Sequence, residues 1–463
     1  MRLIPLALLL VVAGCAAPAT RQAVALIPPA DLGLAGATPA IAPDWWRGFG
    51  DPQLDRLVDA AVDGNPSLDT ALARVRQAEA LLATRTGATD PSVTLDAQGQ
   101  VARLSGRYTI PPPFGGTVRF VGTGLANLNW NLDLFGRQRS AIREARQSAA
   151  AAALDVAAAR LSLSGAVVAT YLDLARAEAQ ARIAQRTVAT REGNLRLVGT
   201  LISNRLASEI DREAATTLLA QARQAAVRAE AANVLARNAL AALAGRGADF
   251  GRTLGPTALR LDAGLPLPTT VPADLLARRA DIAAAERRVA AAAEGREVAR
   301  RAFYPNVNLA ALAGLQAVGI GNLFDLDAGT AGVGPALSLP LFDGGRRRAD
   351  LDGAVAALDL ATADYNERVI GAVREAADGI AQVGAIQADR AAQADVLRGY
   401  RETGRLNAVR VSSGLSSRLD LIDNDIRTLA AEQAGADLAV DAAQARVRLL
   451  LALGGDFSQE STR

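Results

Sequence analysis

The stretch PSVTLDAQGQV, residues 91–101, sets Val93, Leu95, Ala97 and Val101 against Thr94, Asp96, Gln98 and Gln100. Side chains alternate across a strand, so a period of two gives one apolar and one polar face. The alternation returns in Leu128, Trp130, Leu132 and Leu134, then in Val307, Leu309 and Ala311, and again in Leu337, Leu339 and Leu341. Each half of the chain thus offers one hairpin with Gly-rich loops. Strands of about ten residues have the length that crosses a bilayer with one face to lipid and the other to a wet lumen. A soluble sheet is the alternative.

Outward from these strands the chain repeats itself. PSVTL at Pro91 returns as PNVNL at Pro305, 214 residues on, and LDLFGRQR around Phe135 returns as LPLFDGGRRR around Phe342, 207 residues on. LASEID ending at Asp211 returns as LSSRLD ending at Asp420, an offset of 209, and LAALAG ending at Gly245 as LLALGG ending at Gly455, an offset of 210. Four matches in one order indicate a duplication, so the halves should share one architecture. The expected divisions are a signal segment 1–14, a linker 15–43, repeats 44–255 and 256–455, and a tail 456–463.

Each half opens on a helix. Leu68, Ala71, Val75, Ala78 and Leu82 recur at steps of three and four between Asn65 and Thr86, and a counterpart begins near Pro272. No proline falls between Pro113 and Pro256 or after Pro340, which leaves two long stretches without a helix breaker. The helical region after Gly136 runs about 65 residues, roughly 100 Å at 1.5 Å per residue. After Gly345 a coiled-coil seam reads Leu351, Val355, Leu358, Thr362, Tyr365, Val369, Val373, Ala376, Ile380 and Val383. Each long helix turns back through a second, Leu206 to Gly245 and Leu415 to Gly455, giving two antiparallel hairpins whose turns lie far from the strands.

Composition narrows the chemistry. Fifty basic and 48 acidic residues leave a formal charge of +2, scattered along the chain, so no basic face marks a nucleic-acid partner. There is no histidine, one cysteine and one methionine, which excludes histidine acid–base catalysis, CxxC redox chemistry and His/Cys zinc sites. No catalytic constellation stands out, and neither an enzyme nor a cofactor is expected. At the N-terminus, MRLIPLALLLVVAG has one Arg, a short apolar run and small residues before Cys15, the pattern of a secretory signal. VAGC resembles a bacterial lipoprotein box in which Cys15 carries a covalent lipid, and Ala16 after it resembles an outer-membrane sorting signal. No later run reads as a transmembrane helix.

Four strands from one chain cannot close a barrel, and a lipid-spanning sheet cannot leave open edges. The smallest closed barrels need about eight strands, so several copies must contribute, and three would give twelve. The narrow seams and charged backs of the helices would likewise pack as staves.

PDWWRGFGDPQLDRLVDAAVDGNPSL (43–68), LDLFGRQR (132–139), PADLLARRADIAAAERRVAAA (272–292) and PALSLPLFDGG (335–345) resemble signature segments of the TolC family of outer-membrane efflux proteins. The likeness is greatest to its lipoprotein branch, typified by OprM and NodT, and covers nearly the whole mature chain. Ala280 departs from the usual Arg-Pro-Asp. The resemblance implies a TolC-like homotrimer, mainly α, with a twelve-stranded outer-membrane β-barrel continued by a periplasmic α-helical barrel. It further implies a periplasmic membrane-fusion adaptor and an inner-membrane RND-type pump as partners, outer-membrane lipid around the barrel, and passive conduction through a duct that closes at the periplasmic tips.

By motif, Leu419 and Asp423 match the family's constriction, an apolar plug and a ring of like charge. Ile426 stands where Arg is frequent, followed by Arg427, and Asp420 and Asp425 are candidates to share the gate; a solvated helix face is the plainer reading of these carboxylates. GLSS, Gly414, Leu415, Ser416 and Ser417, resembles the turn to which adaptor tips dock. RLAS, with Leu206 and Ser208 and followed by Asp211, is its first-half equivalent, with Arg205 in place of glycine. Trp45 and Trp46 read as packing residues ahead of membrane-interface anchors. The alternatives to an efflux duct are a type I protein-secretion duct and a non-conducting structural lipoprotein.

Overall fold

The computed structural model describes residues 24–36, 41–107, 113–262, 267–455 and 457. Cys15 and the signal segment lie outside the described residues. In chain order the elements are α1 (Pro52–Gly64), α2 (Pro66–Gly87), β1 (Ser92–Arg103), β2 (Val118–Asn131), α3 (Arg137–Ser203), α4 (Glu209–Leu243) and α5 (Ala248–Arg252), then α6 (Ala280–Arg301), β3 (Asn306–Val318), β4 (Gly329–Ser338), α7 (Arg346–Ser412) and α8 (Arg418–Ala452). The halves match in length: α2 and α6 have 22 residues each, α3 and α7 have 67, α4 and α8 have 35.

The chain divides into two compact units. One takes in 73–153 and 284–366 with residues 24–26 and carries the sheet. Its strands run in the order β1-β2-β3-β4, every pair antiparallel. The register places Leu95 opposite Ala126, Ala126 opposite Ala313, and Ala313 opposite Ala331. Alternate positions therefore line up into one face of Val93, Leu95, Val101, Leu128, Leu309, Val333 and Leu337, and another carrying Thr94, Asp96, Gln98, Asn127 and Gln316. On the polar face Asn127 Nδ2 donates to Asp96 Oδ2 at 2.8 Å. The apolar face is bare: Leu95 is 78% exposed, Val333 76% and Val101 73%. Water would not tolerate such a surface on a stable sheet.

Two strands sit earlier than the sequence alternation suggested. β2 ends at Asn131 and β4 at Ser338, so Leu132, Leu134, Leu339 and Leu341 lie beyond them. The body of β4, GTAGVGPALS, consists largely of Gly and other small residues, which carry little hydrophobic signal in either direction.

The second unit takes in 27–72, 154–283 and 367 onwards, and holds the main core. Leu54, Leu57 and Val58 of α1 pack with Val167, Val168, Tyr171 and Leu172 of α3, Leu240 of α4, and Val440, Val447 and Leu450 of α8. Helix α1 precedes the first helix expected from periodicity. It starts where Asp51 Oδ1 accepts from Gln53 N at 2.9 Å with Pro52 at its first position, a normal N-cap. Tyr171 donates to Asp51 Oδ2 at 2.6 Å and Ala258 N donates to the same oxygen at 2.8 Å, which ties α1 and α3 to the linker between the halves. Trp45 is buried and meets Trp46 edge-on at 5.8 Å, so this pair packs. Contrary to the sequence expectation, α3 holds an 18-residue window apolar enough to cross a bilayer by length and composition. Its alanines raise the hydropathy, and Val167, Val168 and Leu172 of the same helix are core residues.

The seam in α7 is borne out. Leu351, Val355, Leu358, Thr362, Val369 and Ala376 are buried, and the Thr362 hydroxyl donates to Leu358 O at 2.9 Å. Helix α6 starts at Ala280 without the proline of the family pattern.

If the bare face meets lipid, Ala97→Arg will cost roughly 2–4 kcal/mol near the bilayer midplane, whereas Gln98→Arg on the wet face will cost little. The yield of folded protein in outer-membrane fractions checks this; equal losses would place both faces in one environment.

Candidate functional site

The two helix turns are built alike. At the end of α3, Leu206 N donates to Leu201 O at 2.8 Å and Arg205 N to Ile202 O at 2.9 Å. At the end of α7, Leu415 N donates to Arg410 O at 2.8 Å and Gly414 N to Val411 O at 3.1 Å. Both are Schellman turns, which need a left-handed residue after the helix. Gly414 fills that position at φ 73°, Arg205 at φ 57°. The first-half turn thus keeps the backbone of its glycine equivalent and carries the steric cost of a Cβ there.

Each following helix opens with a capping box. The Asp211 carboxylate accepts from Ser208 N and Ser208 Oγ, both at 2.8 Å. The Asp420 carboxylate accepts from Ser417 N at 3.0 Å and Ser416 Oγ at 2.7 Å, while Leu419 N donates to Ser417 Oγ at 3.0 Å. Hydrogen bonds from backbone and side chain at Ser208 hold Asp211 below the usual carboxylate range, and those from Ser416 and Ser417 do the same for Asp420. Leu206 and Leu415 project from the turns, 74% and 70% exposed. Of the expected docking residues, then, Ser208, Asp211, Ser416 and Ser417 close caps, and the two leucines offer the free apolar surface.

The expected gate residues fall into two sets. Leu419, Asp423 and Arg427 are spaced four apart and form one stripe on α8. Leu419 is 37% exposed, and Asp423 pairs with Arg427 at 2.8 Å. Asp420 is occupied by the cap, and Asp425 lies on the other side of the helix from Asp423. The same stripe on α4, 209 residues earlier, reads Ile210, Ala214 and Leu218. Only the second half puts charge there.

Sequence reasoning missed a polar ladder between α3 and α8. Gln444 Nε2 donates to Asp173 at 2.7 Å, Arg176 Nη2 to Asp441 at 2.6 Å, Gln180 Nε2 to Asp437 at 2.8 Å and Arg186 Nη1 to Glu432 at 2.6 Å. Glu432 also accepts from Arg401 of α7 at 3.3 Å. These partners lie some 250 residues apart in the chain, and no local pattern announces them. Among the described residues, no cluster of three or more His, Cys, Asp or Glu could hold a metal ion. A cavity of about 590 Å³ beside α6 is lined by Arg279, Asp281, Glu375 and Arg448, but its carboxylates are taken: Arg279 binds Asp281 at 2.8 Å and Glu375 at 2.7 Å.

A sheet with one bare apolar face and open edges, in a chain whose duplicated halves each end in a long helical hairpin, defines a subunit of an outer-membrane channel. The sequence profile of the outer membrane efflux protein family matches residues 57–246 and again 271–455, and the chain belongs to that family. It is 36% identical to the fusaric acid resistance protein FusA of Burkholderia cepacia over 320 residues, 68% of this chain and 60% of that one. It therefore spans about three fifths of FusA. It is 30% identical to SrpC, the outer membrane protein of a solvent efflux pump of Pseudomonas putida, over 89% of this chain and 87% of that one. The crystal structure of the outer membrane protein VceC of Vibrio cholerae superposes with a TM-score of 0.83 at 30% identity, covering 90% of this chain and all of VceC. The protein is an outer-membrane component of an efflux system.

The left-handed position makes the turns unequal in a measurable way. Arg205→Gly should remove about 1 kcal/mol of strain and slow amide exchange at 200–208 about fivefold, whereas Gly414→Ala should speed exchange at 409–417 by a similar factor. Hydrogen exchange followed by mass spectrometry reads both.

Proposed function

We propose that the protein is a passive, non-enzymatic duct assembled as a homotrimer, which receives substrates from an inner-membrane RND-type pump through a periplasmic adaptor and closes at the tip of its second-half hairpin. The observation that carries the gate is the stripe of Leu419, Asp423 and Arg427. These residues share one exposed face, and the duplicated helix has no charge at the matching positions. Around a symmetry axis, three leucines would form an apolar plug, and three carboxylates brought together would repel unless their arginines stay paired. Asp423–Arg427 supplies the ion pair that Ile426 does not. The exposed Leu206 and Leu415 fit an adaptor's helical tip, with the capped turns as a rigid mount. The names of FusA and SrpC support small organic cargo rather than polypeptides.

Ion conductance of the purified oligomer in planar bilayers tests the gate. The parent should conduct weakly, and Leu419→Ala and Asp423→Ala should conduct more strongly. Parental conductance already at the mutants' level would remove the gate from this stripe, and no channels from any reconstituted oligomer would favour a structural lipoprotein.

The lipid on Cys15 is part of the same proposal. Cells fed labelled palmitate should yield labelled protein, and Cys15→Ser should abolish the label; label retained in that variant would place the acyl chain elsewhere.

A further inference from the structure

The connection between β3 and β4, residues 319–328, exposes three large apolar side chains: Ile320 at 68%, Phe324 at 82% and Leu326 at 99%. It is nonetheless an ordered segment. Gly319 N donates to Phe120 O at 2.7 Å and Asn322 Nδ2 to Val318 O at 3.0 Å, and short 3₁₀ turns form at Ile320–Asn322 and Leu326–Ala328. A chain that fixes bare apolar groups in place needs something to receive them.

The direction in which the connection leans identifies that partner. Phe120, Gly99 and Gly122 lie on the apolar face of the sheet, since Gly99 pairs with Gly122 and Val101 with Phe120. A Cβ built on Gly122 would lie 3.0 Å from Leu323 Cδ2 and 2.8 Å from the Phe120 ring, and one on Gly99 would lie 2.9 Å from that ring. The two glycines make room for Phe120 and Leu323 to lie flat on the face that meets lipid. The connection therefore continues that surface past the strand ends. Asp325 and Asp327, both exposed, alternate with Phe324 and Leu326, an arrangement suited to an interface, where charge stays at the headgroups and apolar groups dip below.

We infer that residues 319–328 form a lipid-docking rim, with Ile320, Phe324 and Leu326 inserted at the boundary between headgroups and acyl chains of the bilayer around the barrel. The inference rests on the sheet being bilayer-spanning, and the test separates the two. In a Cys15→Ser background, which removes the only cysteine, single labels go on Leu326→Cys, on Ala97→Cys in the apolar face, and on Leu206→Cys at a helix tip. Each carries an environment-sensitive fluorophore in phosphatidylcholine–phosphatidylglycerol vesicles. The Ala97 and Leu326 labels should shift to the blue and lose quenching by aqueous iodide relative to Leu206. Lipids spin-labelled near the headgroup should quench Leu326 more than lipids labelled deep in the chain. An iodide-accessible Leu326 beside a protected Ala97 overturns the rim and leaves the span intact, as would cross-linking of Leu326 to a neighbouring copy over the pore mouth. An iodide-accessible Ala97 overturns both.

Discussion

The outer backbone edges of β1 and β4 set the terms for everything else. The order β1-β2-β3-β4 leaves those two strands with one flank each that no strand among the described residues pairs. In hydrocarbon an unpaired amide or carbonyl costs several kcal/mol, and strands of 12 and 10 residues present many of them. Pairing β4 of one copy with β1 of the next removes the edges and encloses a lumen. The polar face of Asp96, Gln98, Asn127 and Gln316 then has water to face, and the bare valines and leucines have lipid. Closure thus explains both faces at once, and neither is sensible for an isolated chain.

Much of this was legible in the sequence because it is written in periods. The absence of proline between Pro113 and Pro256 and after Pro340 is a direct statement about helix length, and α3 and α7 follow it. The seam from Leu351 onward is a packing statement, and burial of Val369 and Ala376 honours it. Less legible were elements whose residues do not contrast. β4 is built from Gly and other small side chains, so its alternation surfaced only at Leu337, and its apparent continuation into Leu339 and Leu341 belongs to the irregular connection that leads to α7. The ladder from Asp173 to Glu432 was invisible because its partners meet only when two distant helices lie together.

At the tips, the sequence narrowed the residues but not their work. The Ser-x-x-Asp spacing at 208–211 and 417–420 is a capping signal as much as a gating or docking one, and hydrogen-bond geometry decides between them. Once Asp211 and Asp420 are seen to bind the amides of their own helix starts, the function left to these turns falls on exposed side chains that take no part in the caps: Leu206, Leu415 and the stripe beginning at Leu419.

Duplication explains why the two hairpins share a backbone and why their differences carry meaning. Where the first half has Leu195 and Ala215, the positions 209 residues later are Gly404 and Asn424; a Cβ on Gly404 would lie 2.6 Å from Asn424 Nδ2, which donates to Tyr400 O at 3.2 Å. The bulk has moved from one helix to its neighbour, and an apolar pair of residue types has become a glycine beside a buried amide that donates to Tyr400 O. The same hairpin replaces Ile210, Ala214 and Leu218 with Leu419, Asp423 and Arg427. Two copies of one backbone that had to do only one job would have no reason to diverge in both packing and charge at the same end. With the caps preserved at both tips, Asp423 and Arg427 stand in place of Ala214 and Leu218, and Leu421 and Ile422 in place of Arg212 and Glu213. Charge has moved from one face of the helix to another, which is what a pair of hairpins would retain if their tips met different surroundings.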